Sequence, residues 1–238
     1  MISHITSTSD AAMYGVAYNL AMILTFVLNA INGSYVPWLY GKIKKNNAQD
    51  NKSISLILIM LMGLIILCVI WYAPEIILIM AGKQYSVAIY VVAPVSMSLL
   101  LLFYSQLFIN IEFYYEEKKM LVYGSIGAAV LNIILNGWLI PIFGFVAAGY
   151  TTLISYIVFA LSNYYTMRLM LKKRKLDDDM YDYKLLLLLF VAFMISGFLG
   201  VALYGNLILR ILITLVVFGL LVINKNKFID ALKKIKER

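Results

Sequence analysis

Five hydrogen-bonding side chains, Tyr14, Tyr18, Thr25, Asn29 and Asn32, interrupt a single apolar run at intervals of 4, 7, 4 and 3 residues. On an α-helix turning about 100° per residue, those steps hold all five within a sector of roughly 60°. Polar side chains in a hydrocarbon-spanning helix are costly and turn toward a bundle interior or a watery cavity. A polar stripe running the depth of one helix therefore suits two roles, lining a pathway or bonding to a neighbouring helix. A second stripe, Ser125, Ala128, Ala129, Asn132 and Asn136, shares one helix face with Gly124 and Gly127 nearby. Small residues let helices approach closely and Asn bonds across the contact, so packing is favoured there over ligand binding. Arg210 is the one cation well inside an apolar run, about one turn from Gly205 and Asn206. Its guanidinium suits an anionic group such as phosphate, or contact with the outer lipid headgroups, and the second reading is favoured. Ser98, Ser105 and Glu112 fall at heptad steps, with Gln106 and Asn110 on another side; Glu112, close to a span end, is expected to snorkel to water.

None of these groups forms a catalytic constellation. The sequence has no phosphate-binding Walker loop, no Gly-x-Ser-x-Gly elbow and no Asp-rich metal pair. His4 and Cys68 are each the single residue of their type, which excludes a histidine metal site, an intrachain disulfide and a cysteine cluster. Cys68 is expected to be a small buried hydrophobe. No enzyme activity and no cofactor are expected, and the weight moves from catalysis to transport.

The elements that position the stripes follow from composition. The chain is 63% hydrophobic and only 13% charged, with a mean hydropathy of +0.89; soluble domains are roughly 45–50% apolar. Apolar runs long enough to cross a bilayer recur along almost the whole length. They predict an all-α polytopic integral membrane protein with about seven transmembrane helices: 11–40, 54–80, 87–115, 120–140, 145–167, 185–204 and 207–223. Ser9 and Asp10 are plausible N-caps for the first helix, and Pro141 to Gly144 is expected to turn the chain between the fourth and fifth.

All but Lys83 and Arg210 of the 20 Lys and Arg residues lie in four clusters, at Lys42–Lys52, Lys118–Lys119, Arg168–Lys184 and Lys225–Arg238. These occupy alternate gaps between spans. Basic loops stay on the cytoplasmic side, which predicts a multi-pass protein of the cell (inner) membrane with its C-terminus in the cytoplasm and its N-terminus outside. Nothing before the first span resembles an export signal. The net charge of +8 flanks apolar spans and carries no nucleic-acid motif, so the expected partners are membrane lipids and not nucleic acid. The expected organisation is a five-helix membrane core (1–170), a charged cytoplasmic loop (171–184), a terminal helix pair (185–224) and a basic tail (225–238). In the tail, Phe228, Leu232 and Ile235 recur at amphipathic spacing.

The segment Gly127–Tyr156 carries Asn132 and Asn136 on one helix, then Leu139-Ile140-Pro141, then Gly144, Ala147, Ala148 and Gly149, then Thr151, Thr152, Ser155 and Tyr156. That order resembles bacterial polysaccharide flippases of the multidrug/oligosaccharidyl-lipid/polysaccharide exporter superfamily. The polar-striped helix ending in Pro37, Trp38 and a basic loop is also similar to that family. The resemblance implies one lobe of a two-lobe flippase-like fold, aligned with its C-terminal half. It implies flipping or export of a lipid-linked oligosaccharide or polysaccharide precursor by alternating access about a central cavity. The Tyr14–Asn32 face would then line that cavity, meeting the sugar with amides, hydroxyls and aromatic rings. The implied partners are the lipid-linked oligosaccharide and a missing N-terminal lobe or a second copy of the chain. The rival expectations are a drug or lipid exporter of the same superfamily, a membrane enzyme of cell-envelope assembly, and a non-functional truncated remnant.

Overall fold

In hydrocarbon no water bonds to exposed backbone groups, so an apolar chain satisfies them internally by forming helices. A computed structural model of this chain describes residues 1–117, 119–176 and 179–223, together with positions 229 and 233. The helices are α1 (Ile2–Ile5), α2 (Thr8–Lys44), α3 (Asn51–Trp71), α4 (Ala73–Met80), α5 (Ile89–Tyr114), α6 (Lys119–Phe143), α7 (Val146–Lys173), α8 (Tyr183–Ala202) and α9 (Leu207–Ile223), with short 3-10 turns at Ala48–Asp50 and Lys83–Ala88. There is no strand among the described residues. Six of the described helical segments, built on α2, α3, α5, α6, α7 and α8, are long and apolar enough to cross a membrane. The seventh expected span, α9, is a 17-residue helix, at the lower limit for spanning. The protein is an all-α polytopic membrane protein.

Several boundaries differ from expectation for local reasons. Ser7, not Ser9 or Asp10, caps α2: its backbone is extended and its hydroxyl accepts the Asp10 N–H at 3.0 Å. Asp10 sits in the first turn, where its charge suits the helix N-terminus. The second expected span divides at Tyr72, because Pro74 cannot continue a helix but fits the first turn of a new one. Pro141 remains inside α6, and the reversal falls on Gly144, whose φ of 71° is a left-handed conformation that glycine adopts without strain.

α5 is the axis of the fold. It is buried on nearly every side and packs against α2, α3, α7 and α8. A helix apolar all round belongs in a core. α6 lies outside α7, and α8 packs on α3. Glycines set the seam of α8 with α3 and α5. A Cβ at Gly63 would meet the Phe193 ring, one at Gly197 the Met97 side chain and one at Gly200 the Trp71 indole, each under 3.0 Å. The Trp71 Nε1–H also donates to the Ser196 carbonyl at 3.1 Å. One apolar core takes in residues from α2, α3, α5, α7 and α8, so α8 belongs to the same body as the helices before it. The outer surface bears many exposed large hydrophobes, among them Phe26, Trp138, Leu161, Leu187 and Leu215. A belt of that kind suits lipid, since soluble proteins rarely expose contiguous apolar patches. Cys68 is part of this exposed surface, on the outward side of α3, and is not buried as expected.

The 171–184 segment is anchored through its described residues. Met180 and Tyr181 are buried. Asn51 Nδ2 donates to the Met180 carbonyl at 3.1 Å, and the Tyr181 hydroxyl donates to the Leu107 carbonyl at 2.7 Å. Lys52 pairs with Asp179, and Arg174 reaches Glu117 and the Tyr115 carbonyl. Burial pushes the Tyr181 hydroxyl pKa well up, so it stays a donor. The first and third basic clusters therefore meet at one end of the molecule. Trp71, Glu75, Tyr204 and Arg210 meet at the other. The tail at 225–238, expected to be amphipathic, lies outside the described residues apart from positions 229 and 233, both exposed.

Candidate functional site

α2 sets the geometry of the first stripe. Its buried series, Ala17, Ala21, Leu24, Leu28, Tyr35 and Leu39, faces the core. The polar stripe lies on the shoulder of that face, between the core and the outward surface. Its two ends are held. Tyr14 is half-buried and within hydrogen-bonding reach of Thr152 on α7. Asn32 Oδ1 accepts from Asn110 Nδ2 on α5 at 2.8 Å. Its middle is open. Tyr18 is 40% exposed and stacks on Tyr14 with ring centroids 5.9 Å apart. Asn29 is exposed. The Thr25 hydroxyl donates to the Met22 carbonyl of its own helix at 2.6 Å, which leaves its oxygen free to accept. Tyr156 on α7 lies near both Tyr14 and Tyr18. The arrangement is a polar wall on α2, joined to α5 and α7 at its ends and open between them. It presents amide, hydroxyl and aromatic groups without a charge.

Below this wall a buried polar group joins α5 and α7. Glu112 is 2% exposed, and its Oε1 accepts from the Thr166 hydroxyl. It does not snorkel, because the α7 side chains close over it. Asn163 Nδ2 donates to the Phe159 carbonyl at 2.9 Å. Glu112 Oε2, Asn163 Oδ1 and Gln106 Oε1 are buried without a hydrogen-bond partner among the described residues, an arrangement that costs free energy unless a donor meets them. Ser98 and Ser105 bond to carbonyls of their own helix, Val95 at 2.6 Å and Leu101 at 2.9 Å. Asn163 and Thr166 give no sequence signal. They sit in a helix of ordinary polarity, and only the fold sets Thr166 against Glu112. Among the described residues, no group of three or more His, Cys, Asp or Glu side chains is placed to hold a metal ion.

The α6 stripe divides between two surroundings. Asn136 donates to Asn132 Oδ1 at 2.9 Å, and Thr151 Oγ1 of α7 lies within bonding reach of Asn136 Oδ1. Ala128 is half-buried. Ser125 and Ala129 are exposed, and the Ser125 hydroxyl donates to the Val122 carbonyl at 2.9 Å. Gly124 also approaches α7 closely, since a Cβ there would crowd the Ser162 hydroxyl.

Arg210 stands apart from both stripes. It is 2% exposed, so it does not reach headgroups as expected. Its Nη1 and Nη2 donate to Glu75 Oε2 and Oε1 at 2.8 and 2.6 Å, a two-point fork. Further bonds run to the carbonyls of Trp71 and Tyr204, and the guanidinium lies 5.9 Å from the Tyr204 ring centroid. The Arg210 hydrogen bonds hold the Glu75 carboxyl below the usual carboxylate range. The charge is neutralised within the protein, and the pair ties α9 to α4. The two residues stand 135 positions apart, and helix periodicity carries no signal that would pair them.

Comparison of the chain with protein-family models, with curated proteins and with solved structures gave no match.

Proposed function

We propose that this chain is one lobe of a membrane transporter that moves a lipid-linked oligosaccharide or polysaccharide precursor across the cell membrane, with the open α2 face on the substrate side. The observation that carries the reading is the open middle of the polar stripe, where Tyr18 and Asn29 are exposed and Thr25 is half-buried between them. Uncharged hydroxyls and amides suit a sugar, which offers many donors and acceptors, and phenol rings suit the apolar faces of pyranoses. Rigid packing of α2 on α5 suits a lobe that rocks as a unit, and a second lobe, or a second copy, would supply the opposite wall. No bond is made or broken; the work is a change in the side to which the cavity opens. The order of motifs from Asn132 to Tyr156 agrees with this reading, and with the basic end facing the cytoplasm.

The test is the double variant Tyr18→Leu/Asn29→Leu in the source cells, where all partners are present. Delivery of lipid-linked oligosaccharide to the outer leaflet, read by an impermeant lectin, is expected to fall at least roughly tenfold, from two lost hydrogen bonds of about 1 kcal/mol each. Normal delivery by a variant inserted at normal abundance would sink the proposal.

A further inference from the structure

A second surface on the opposite side of α5 has a different chemistry. An open groove of about 390 Å³ lies where α5, α7 and α8 meet. Its apolar part is formed by Leu101, Tyr104 and Phe108 of α5, Ala160 of α7, and Leu187 and Phe190 of α8. On α5 these positions lie roughly 180° from Gln106 and Asn110 at about 100° per residue, so the groove is separate from the polar wall. One end is different. Lys184 and Tyr183 line it, and an adjoining hollow carries Arg168 and Lys172 beside Tyr164. The Arg168 guanidinium lies 5.0 Å from the Tyr183 ring centroid and bonds to the Tyr164 hydroxyl at 2.9 Å. Lys172 and Lys184 are exposed. This is the basic end of the molecule.

We infer that this groove is a binding site for an anionic phospholipid of the surrounding membrane, its acyl chain in the α5–α7–α8 slot and its phosphate at Lys172 and Lys184. The slot runs along α5 from Leu101 to Phe108, about 10 Å at 1.5 Å per residue, which lies within one leaflet's roughly 15 Å of hydrocarbon and takes the upper part of an acyl chain. A neutral lipid would fill the slot but bring no net negative charge to Lys172 and Lys184. Charge complementarity therefore selects an acidic headgroup. The site stands independently of the transport reading, since it uses neither the α2 wall nor any of its residues.

The experiment is native mass spectrometry of the full chain in detergent, with phosphatidylglycerol and phosphatidylcholine of the same acyl chains added in equal amounts. The wild-type chain is expected to retain phosphatidylglycerol in roughly tenfold excess, given about a several-fold gain per lysine near a phosphate. Lys172→Gln/Lys184→Gln, a surface change, is expected to bring the two lipids to parity. Ala160→Phe, which fills the slot, is expected to remove both. Equal retention by the wild-type chain overturns the inference. So does an undiminished preference in the lysine variant, or undiminished lipid in an Ala160→Phe variant that melts like the wild type. If Ala160→Phe does not fold, the lysine variant alone decides.

Discussion

At the scale of single residues, the strongest interaction is one the sequence half announces. Arg210 stands out in the sequence as the one cation well inside an apolar run, and alone it suggests a headgroup contact. Folding pairs it with Glu75 because α4 turns back at Pro74 and α9 descends beside it. With Arg210 nearly fully buried, removing its partner strands a charge. Glu75→Gln is expected to destabilise the protein by roughly 3–5 kcal/mol, the range for breaking a buried pair, toward the lower end because the Glu75 side chain is 34% exposed. The same pair gives a pH signature. Its carboxyl is held below the ordinary range by the Arg210 hydrogen bonds, so its contribution is fully present above the unfolded carboxylate value of about 4.3. That contribution is lost as the pH falls through the lowered native value. The melting temperature of the wild type in detergent should therefore drop below about pH 4 by more than that of Glu75→Gln. Parallel curves for the two proteins would remove the pair from the account. Glu112 teaches the opposite lesson. Its position near the end of a span suggested water, but burial is decided by what α7 lays over it, with Thr166 bonded to it, and a single helix carries no record of its neighbour.

At the scale of elements, the apolar runs identify nearly every span, because hydrophobic length is local information. Boundaries moved where one residue's backbone decides: Ser7 as the cap of α2, Pro74 dividing the second span, and the expected 141–144 turn narrowing to Gly144. Packing seams were less legible. Small residues on α6 drew attention because they coincide with asparagines, yet Ser125 and Ala129 face outward. The tighter seam is where Gly63 and Gly200 join α3 to α8 and Gly197 lets α8 approach Met97 of α5, glycines standing mostly among apolar residues. Rigid aromatic rings lie against Gly63 and Gly200. Gly200→Ala is accordingly expected to cost about 1–3 kcal/mol, the range for overpacking, because the Trp71 indole cannot move without losing its bond to the Ser196 carbonyl. Gly127→Ala is the matched control, as nothing lies within 4 Å of the added methyl, and thermal melts of the two in one detergent check the contrast. Equal melting temperatures would mean that α3 and α8 slide apart freely.

At the scale of the whole molecule, alternation of basic and non-basic gaps suggested that the loops sort to two ends, and the described parts of the first and third clusters do meet at one. What could not be read from the sequence is which side of each polar helix faces open space. Periodicity places Tyr14, Tyr18, Thr25, Asn29 and Asn32 on one face of α2, but the same face serves packing at its ends and lies open in its middle. That open middle is the central claim, and thiol accessibility tests it most directly. Single cysteines at positions 18, 25 and 29, and at the outward positions 23, 26 and 30, would be introduced in a Cys68→Ser background and labelled in native membranes with a charged, water-borne thiol reagent. If the face lines a watery cavity, positions 18, 25 and 29 label at least about tenfold faster than 23, 26 and 30, since a thiolate forms in water and not in lipid. Equal, slow labelling at all six would put the stripe against hydrocarbon and contradict the account.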